Sequence, residues 1–88
     1  LSPDSNGKVE MISMSLEPGT VSSEDLLCHA GDECMVVLQG QAEIIAGDER
    51  FELDAGDSIY LNEGIPHRVT NVGDQDLVCI VAIAPPSF

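Results

Sequence analysis

Gly56 to Asn71 reads GDSIYLNEGIPHRVTN, and this stretch decides the fold. A Gly-Asp turn opens it and a short alternating strand, Ser58-Ile59-Tyr60-Leu61, follows. Asn62-Glu63-Gly64 then makes a tight turn, because glycine allows the positive φ that such a turn needs and asparagine before it suits a turn better than a strand. A second strand opens on His67, so one of the chain's two histidines is aimed by a hairpin.

Working outward, period 2 dominates over period 3.6. Val9 to Leu16 sets Ile12, Met14 and Leu16 on one face against Ser13 and Ser15, and Glu17-Pro18-Gly19 ends it. Thr20 to Asp25 reads as loop, and Leu26 to His29 as a short strand. Strands are expected over Glu33 to Leu38, Gln41 to Ile45, Arg50 to Leu53 and His67 to Asn71. The most apolar strand, Leu77 to Ala84, ends at Pro85-Pro86 because proline cannot donate to a ladder. Gly-Asp recurs at 31, 47, 56 and 73, each time at a strand boundary. Repeated hairpins with no helical segment predict an all-β fold, a sandwich or barrel.

The spacing of Gly56, Gly64, His67 and Asn71 resembles the second motif of the cupin superfamily, with Asn62 where that family usually has proline. Upstream, HAGDECMVVLQG matches the second half of the family's first motif through His29, Glu33 and Gly40. Its first half is missing, since Leu27 stands where the first histidine belongs and Val21 where the first glycine belongs. The resemblance spans nearly the whole chain and implies a small antiparallel jelly-roll barrel, the double-stranded β-helix.

Composition bounds what such a domain does. Eighty-eight residues make one small domain. With 43% hydrophobic but only 3% aromatic residues, its core is built of Val, Ile, Leu and Met. Lys8, Arg50 and Arg68 face sixteen acidic residues, a formal charge of −13. Lys and Arg supply most affinity for phosphates, so the chain is not expected to bind nucleic acid or an anionic membrane by itself. No apolar run approaches the roughly 20 residues of a membrane span. Cys28, Cys34 and Cys79 fit neither a zinc ribbon nor a CxxC pair and read as reduced thiols, so a cytoplasmic location is expected.

Imidazole nitrogens and a carboxylate suit a divalent transition metal. Carried over residue by residue, the cupin resemblance makes His29, Glu33 and His67 the candidate ligands of one such ion, with Leu27 in place of a further histidine. The alternative is a polar pocket in which these residues bond to one another. In both cases a buried carboxylate needs a partner, so Glu33 is expected to touch His29 or His67. If Glu33 and His67 face inward, alternation turns Met35, Val37 and Val69 inward too. Ser58 and Tyr60 are expected to line the same cavity from the neighbouring strand. The candidate ligand-binding set is therefore His29, Glu33, Met35, Ser58, Tyr60, His67 and Val69, while Arg68, Cys28 and Cys34 are expected to point away.

HAGDECMVVLQG, GDSIYLNEGIPHRVTN and the closing APPSF also resemble the C-terminal cupin domain of XRE-type helix-turn-helix transcriptional regulators. That resemblance implies that residues 1–88 form a single cupin domain, the C-terminal part of a longer chain whose DNA-binding domain lies upstream of Leu1. The function it implies is sensing of a small-molecule effector, with no catalysis and with DNA reached only through the separate domain. The alternatives are a stand-alone metal-dependent cupin enzyme, a dioxygenase or an isomerase, and an inert interaction barrel. A homodimer is expected in each case, with Val9 to Leu16 as the candidate pairing strand.

Overall fold

A computed structural model of the chain describes residues 9–22, 31–62 and 64–84. Seven strands follow one another: β1 Glu10–Leu16, β2 Asp32–Gln39, β3 Gln41–Ala46, β4 Glu49–Asp54, β5 Ser58–Leu61, β6 His67–Asn71 and β7 Leu77–Ala84. The seven correspond to the alternating segments read in the sequence, and each Gly-Asp pair stands at a strand boundary. The expected strand at Leu26 to His29 and the stop at Pro85-Pro86 lie outside the described residues.

The strands form two antiparallel sheets, one ordered β1-β7-β2-β5 and the other β4-β3-β6. This is the expected all-β jelly roll, and its core lies between the inner faces. β2 contributes Met35 and Val37, β7 contributes Leu77, Cys79, Val81 and Ile83, and the smaller sheet adds Ala42, Ile44 and Val69. Alternation does the sorting: along β7 the odd positions are buried and the even ones are not. β1 shows the expected phase, with Leu16, Met14 and Ile12 in register with Leu77, Cys79 and Val81.

Gly40 joins β2 to β3 at a φ of +90°, where a Cβ would stand 2.9 Å from the Asp76 carbonyl oxygen. Close backbone approach and φ both require glycine there. Val21, in the place of the family's glycine, forms an isolated bridge to Thr70, so the chain after β1 runs along the free edge of β6.

Candidate functional site

His67 opens β6, directly after a turn. Gly64 takes a φ of +83°, and Ile65 N–H donates to the Asn62 carbonyl at 3.2 Å. The Pro66 carbonyl is tied down by Gly47 N–H at 2.8 Å, and the pairing of His67 with Ala46 then points the ring inward. Glu33 arrives from the other sheet. It is the second residue of β2, paired with Leu61 on one side and Ile83 on the other.

The two side chains meet, His67 Nε2 to Glu33 Oε2 at 3.2 Å. Glu33 is 8% exposed and His67 7%. The expected contact of Glu33 with a histidine is therefore present, through His67. On the far side of the ring Nδ1 stands 3.2 Å from the Ile65 carbonyl, an acceptor, so Nδ1 carries a proton. With Nε2 facing a carboxylate, the imidazolium is the form favoured by both neighbours, through an ion pair on one side and a hydrogen bond on the other. The Glu33 side chain and, more weakly, the Ile65 carbonyl accordingly raise the His67 pKa above the usual histidine value, against burial, which lowers it.

A raised folded-state pKa has a definite linkage sign. The stabilisation is fully present below the unfolded value of about 6.5 and is lost as the pH rises through the higher folded value. In metal-free protein, the melting-temperature advantage of wild type over His67→Gln is expected to be largest near pH 6 and to shrink toward pH 9. An advantage that stays constant over that range would contradict the pairing.

Glu33 and His67 line a cavity of about 460 Å³, within the range of small-molecule sites. Its other walls are mainly apolar: Ile12 and Met14 of β1, Met35 of β2, Val69 of β6, Val81 and Ile83 of β7. Ser22 closes one side, its Oγ accepting from Val69 N–H at 3.0 Å. Glu33 Oε2 is shielded from solvent, yet no hydrogen bond of good geometry reaches it. His67 is near enough for an ion pair but leaves part of this oxygen's accepting capacity unmet. A buried carboxylate oxygen in that condition is a receptor for a donor group or a cation.

Of the residues singled out in the sequence, Glu33, Met35, His67 and Val69 come together here, and His29 lies outside the described residues. Ser58 and Tyr60 are corrected: they do not line the cavity. β5 pairs Leu61 with Glu33 and Ile59 with Met35, so Ile59 and Leu61 face inward. Tyr60 shares the outer face with Cys34, is 59% exposed, and donates to Asp32 Oδ2 at 2.5 Å. The signal was in the sequence, since the apolar phase of Ser-Ile-Tyr-Leu is the Ile59 and Leu61 phase. Ile12, Met14, Ser22, Val81 and Ile83 were not foreseen as walls, because the pairing of β1 with β7 spans most of the chain. Cys34 faces outward as expected, and Cys79 is buried in the core, where burial raises its thiol pKa.

Among the described residues no group of three metal-ligating side chains occurs. Glu33 and His67 do fit as two members of a donor set, with the unmet carboxylate oxygen beside Nε2 and Nδ1 protonated by its bond to a carbonyl.

The jelly roll of two antiparallel sheets accords with the cupin class, and the chain belongs to the cupin family, whose Cupin domain (Cupin_2) matches residues 12–83. Over 83 residues, 94% of its length, it is 32% identical to the HTH-type transcriptional regulator PuuR of Escherichia coli, of which it covers 44%. Among solved structures it resembles a Cupin 2 conserved barrel domain protein from Salinispora arenicola, at 27% identity and a TM-score of 0.78 over 93% of this chain and 67% of that one. It also resembles a predicted oxalate decarboxylase from Thermotoga maritima, at 26% identity and a TM-score of 0.78 over 86% and 65% of the two chains. The chain thus spans less than half the length of the regulator it matches. Among the described residues no helix is long and apolar enough to cross a membrane.

Proposed function

We propose that this chain is the effector-sensing domain of a bacterial helix-turn-helix transcriptional regulator, acting in the cytoplasm. Residues 1–88 are on this reading one cupin domain, C-terminal to a separate DNA-binding domain that makes all the DNA contacts. The observation that carries the sensing role is the buried Glu33 oxygen with unmet accepting capacity in an otherwise mainly apolar cavity. It calls for a small molecule with an apolar body and an N–H or O–H group, held by Glu33, His67, Met35 and Val69, with His29 the further candidate. The likeness to an HTH-type regulator over 94% of the chain supports the regulatory context. Such a ligand acts only through different affinities for two states of the whole protein, which a homodimer of sensing domains transmits as a change in spacing or angle of the DNA-binding parts.

The second reading is a metal-dependent enzyme, favoured by the donor pair and by the likeness to the Thermotoga protein. Glu33 and His67, with His29, would hold one divalent transition metal, which supplies Lewis-acid or redox chemistry when bound. The chain's own residues then serve to orient substrate against the Val69 and Met35 walls and to exclude water.

One experiment separates these readings. A library of small organic molecules is screened by thermal shift against wild type and Glu33→Gln, each before and after dialysis against a chelator. Sensing predicts compounds that stabilise wild type equally with and without chelation and that lose at least tenfold in affinity with Glu33→Gln, the order of one charge-assisted hydrogen bond. Stabilisation that disappears on chelation would favour the enzyme, and equal shifts in both proteins would sink the Glu33 site.

A further inference from the structure

We infer that Ser22 is a second recognition point of the cavity, and that the cavity takes a linear molecule with an N–H or O–H donor at one end, a hydrocarbon middle and an uncharged hydroxyl or carbonyl oxygen at the other. The inference rests on the sensing role proposed above and narrows the class of molecule sensed. Ser22 follows Val21, which bridges to Thr70, and its own N–H donates to the Val69 carbonyl at 2.8 Å. Its Oγ then takes the place of a main-chain carbonyl, accepting from Val69 N–H at 3.0 Å. The two bonds hold this oxygen against β6 before any ligand arrives. A hydroxyl has one proton to give as well as lone pairs to offer, and among the described residues no acceptor takes the proton of Ser22. The cavity wall therefore carries a placed donor, while the acceptor with unmet capacity is Glu33 Oε2.

The two points differ in depth. Glu33 and His67 are buried, whereas Ser22 is exposed, as is Ile12 on the β1 side of the same cavity at 40%. The buried pair thus forms the closed end, and Ser22 with Ile12 stands at the mouth. Most of the remaining wall is apolar, with Met14, Met35, Val69 and Val81, so the middle of the ligand is hydrocarbon. Strand geometry sets the span. His67 and Val69 lie on β6 with one residue between them, about 6.6 Å along the strand, and Ser22 is beside Val69. An extended chain advances about 1.2 Å per bond, so about five or six bonds separate the two polar atoms of the ligand.

Charge narrows the far end. The chain carries sixteen acidic residues against three basic ones, so a carboxylate or phosphate at the mouth meets repulsion. A neutral oxygen accepts from Ser22 without it.

The test titrates α,ω-alkanediols of about four to eight carbons, and the 1-alkanols of equal length, into this chain and follows its amide chemical shifts. Both series bring a hydroxyl to Glu33 and a hydrocarbon chain, and only the diol brings a second oxygen. The quantity read is the ratio of diol to alcohol affinity, compared between wild type and variants, so that the different hydration of the two probes cancels. Ser22→Ala is expected to lower this ratio about two- to tenfold near five carbons, the value of one neutral hydrogen bond, and less at the longest chains. Ser22→Thr, which keeps a hydroxyl, is expected to restore it. A ratio that Ser22→Ala leaves unchanged overturns the inference, and alcohols that still bind and are weakened by Glu33→Gln then show the sensing cavity standing without it. A ratio that Ser22→Thr fails to restore overturns it as well. If no diol binds, the inference falls, and the sensing role is decided separately by the library screen.

Discussion

Replacing His67 with leucine is expected to destabilise the fold by about 3–5 kcal/mol at pH 7, the range for removing one partner of a buried ion pair. Glu33 is 8% exposed, and its neighbour 3.2 Å away is lost in that variant, which leaves a carboxylate in a mainly apolar cavity. The reverse change costs less. In Glu33→Leu the imidazole can stay neutral and keep its bond to the Ile65 carbonyl, so about 1 kcal/mol is expected, the scale of one hydrogen bond. The double variant Glu33→Leu/His67→Leu is expected near wild-type stability, since a buried pair is often replaced by apolar residues at no net cost. Urea unfolding of the four proteins gives the coupling directly. Additive losses from the two single changes would mean that the side chains do not act as a pair.

Asn71→Ala is the second large effect, about 3 kcal/mol. Asn71 is 1% exposed, and its Nδ2 donates to the carbonyls of Leu16 at 2.9 Å and Gln75 at 2.8 Å. Its Oδ1 accepts from Gly73 N–H at 2.9 Å. One side chain thus joins the end of β1, the end of β6 and the turn before β7. Alanine leaves two carbonyls and an amide without these partners, and each such group, when buried, costs about 1–3 kcal/mol, less where water reaches it. A loss below about 1 kcal/mol in urea unfolding would show that water takes over these bonds.

These two sites mark what the sequence made legible. The strands could be read because one face of each is buried, so alternation writes the fold into the residue types, as in the Leu77 to Ala84 run. A contact of Glu33 with His29 or His67 could be read because a buried carboxylate has few ways to be satisfied and the chain has only two histidines, but which of the two it meets depends on strand placement. Asn71 stood in the sequence only as a motif position; its role depends on Leu16 and Gln75 being brought together by pairings that local pattern does not fix. The cavity walls were half legible. Met35 and Val69 follow from the phase of Glu33 and His67, but Val81 and Ile83 enter only through the placement of β7 beside β2. Ser58 and Tyr60 were misplaced because the β5 register, and not the polarity of a hydroxyl, decides which side of a strand faces the cavity.

The central claim is that this cupin domain is the sensing part of a longer DNA-binding protein. The most direct measurement is the mass of the natural protein, detected in a lysate of its own cells with an antibody raised against this domain. The account predicts a species larger than 9.3 kDa by a DNA-binding domain of about 70–100 residues, ordinary for one domain. A species at 9.3 kDa would contradict it and return the Glu33 and His67 cavity to the metal-dependent reading.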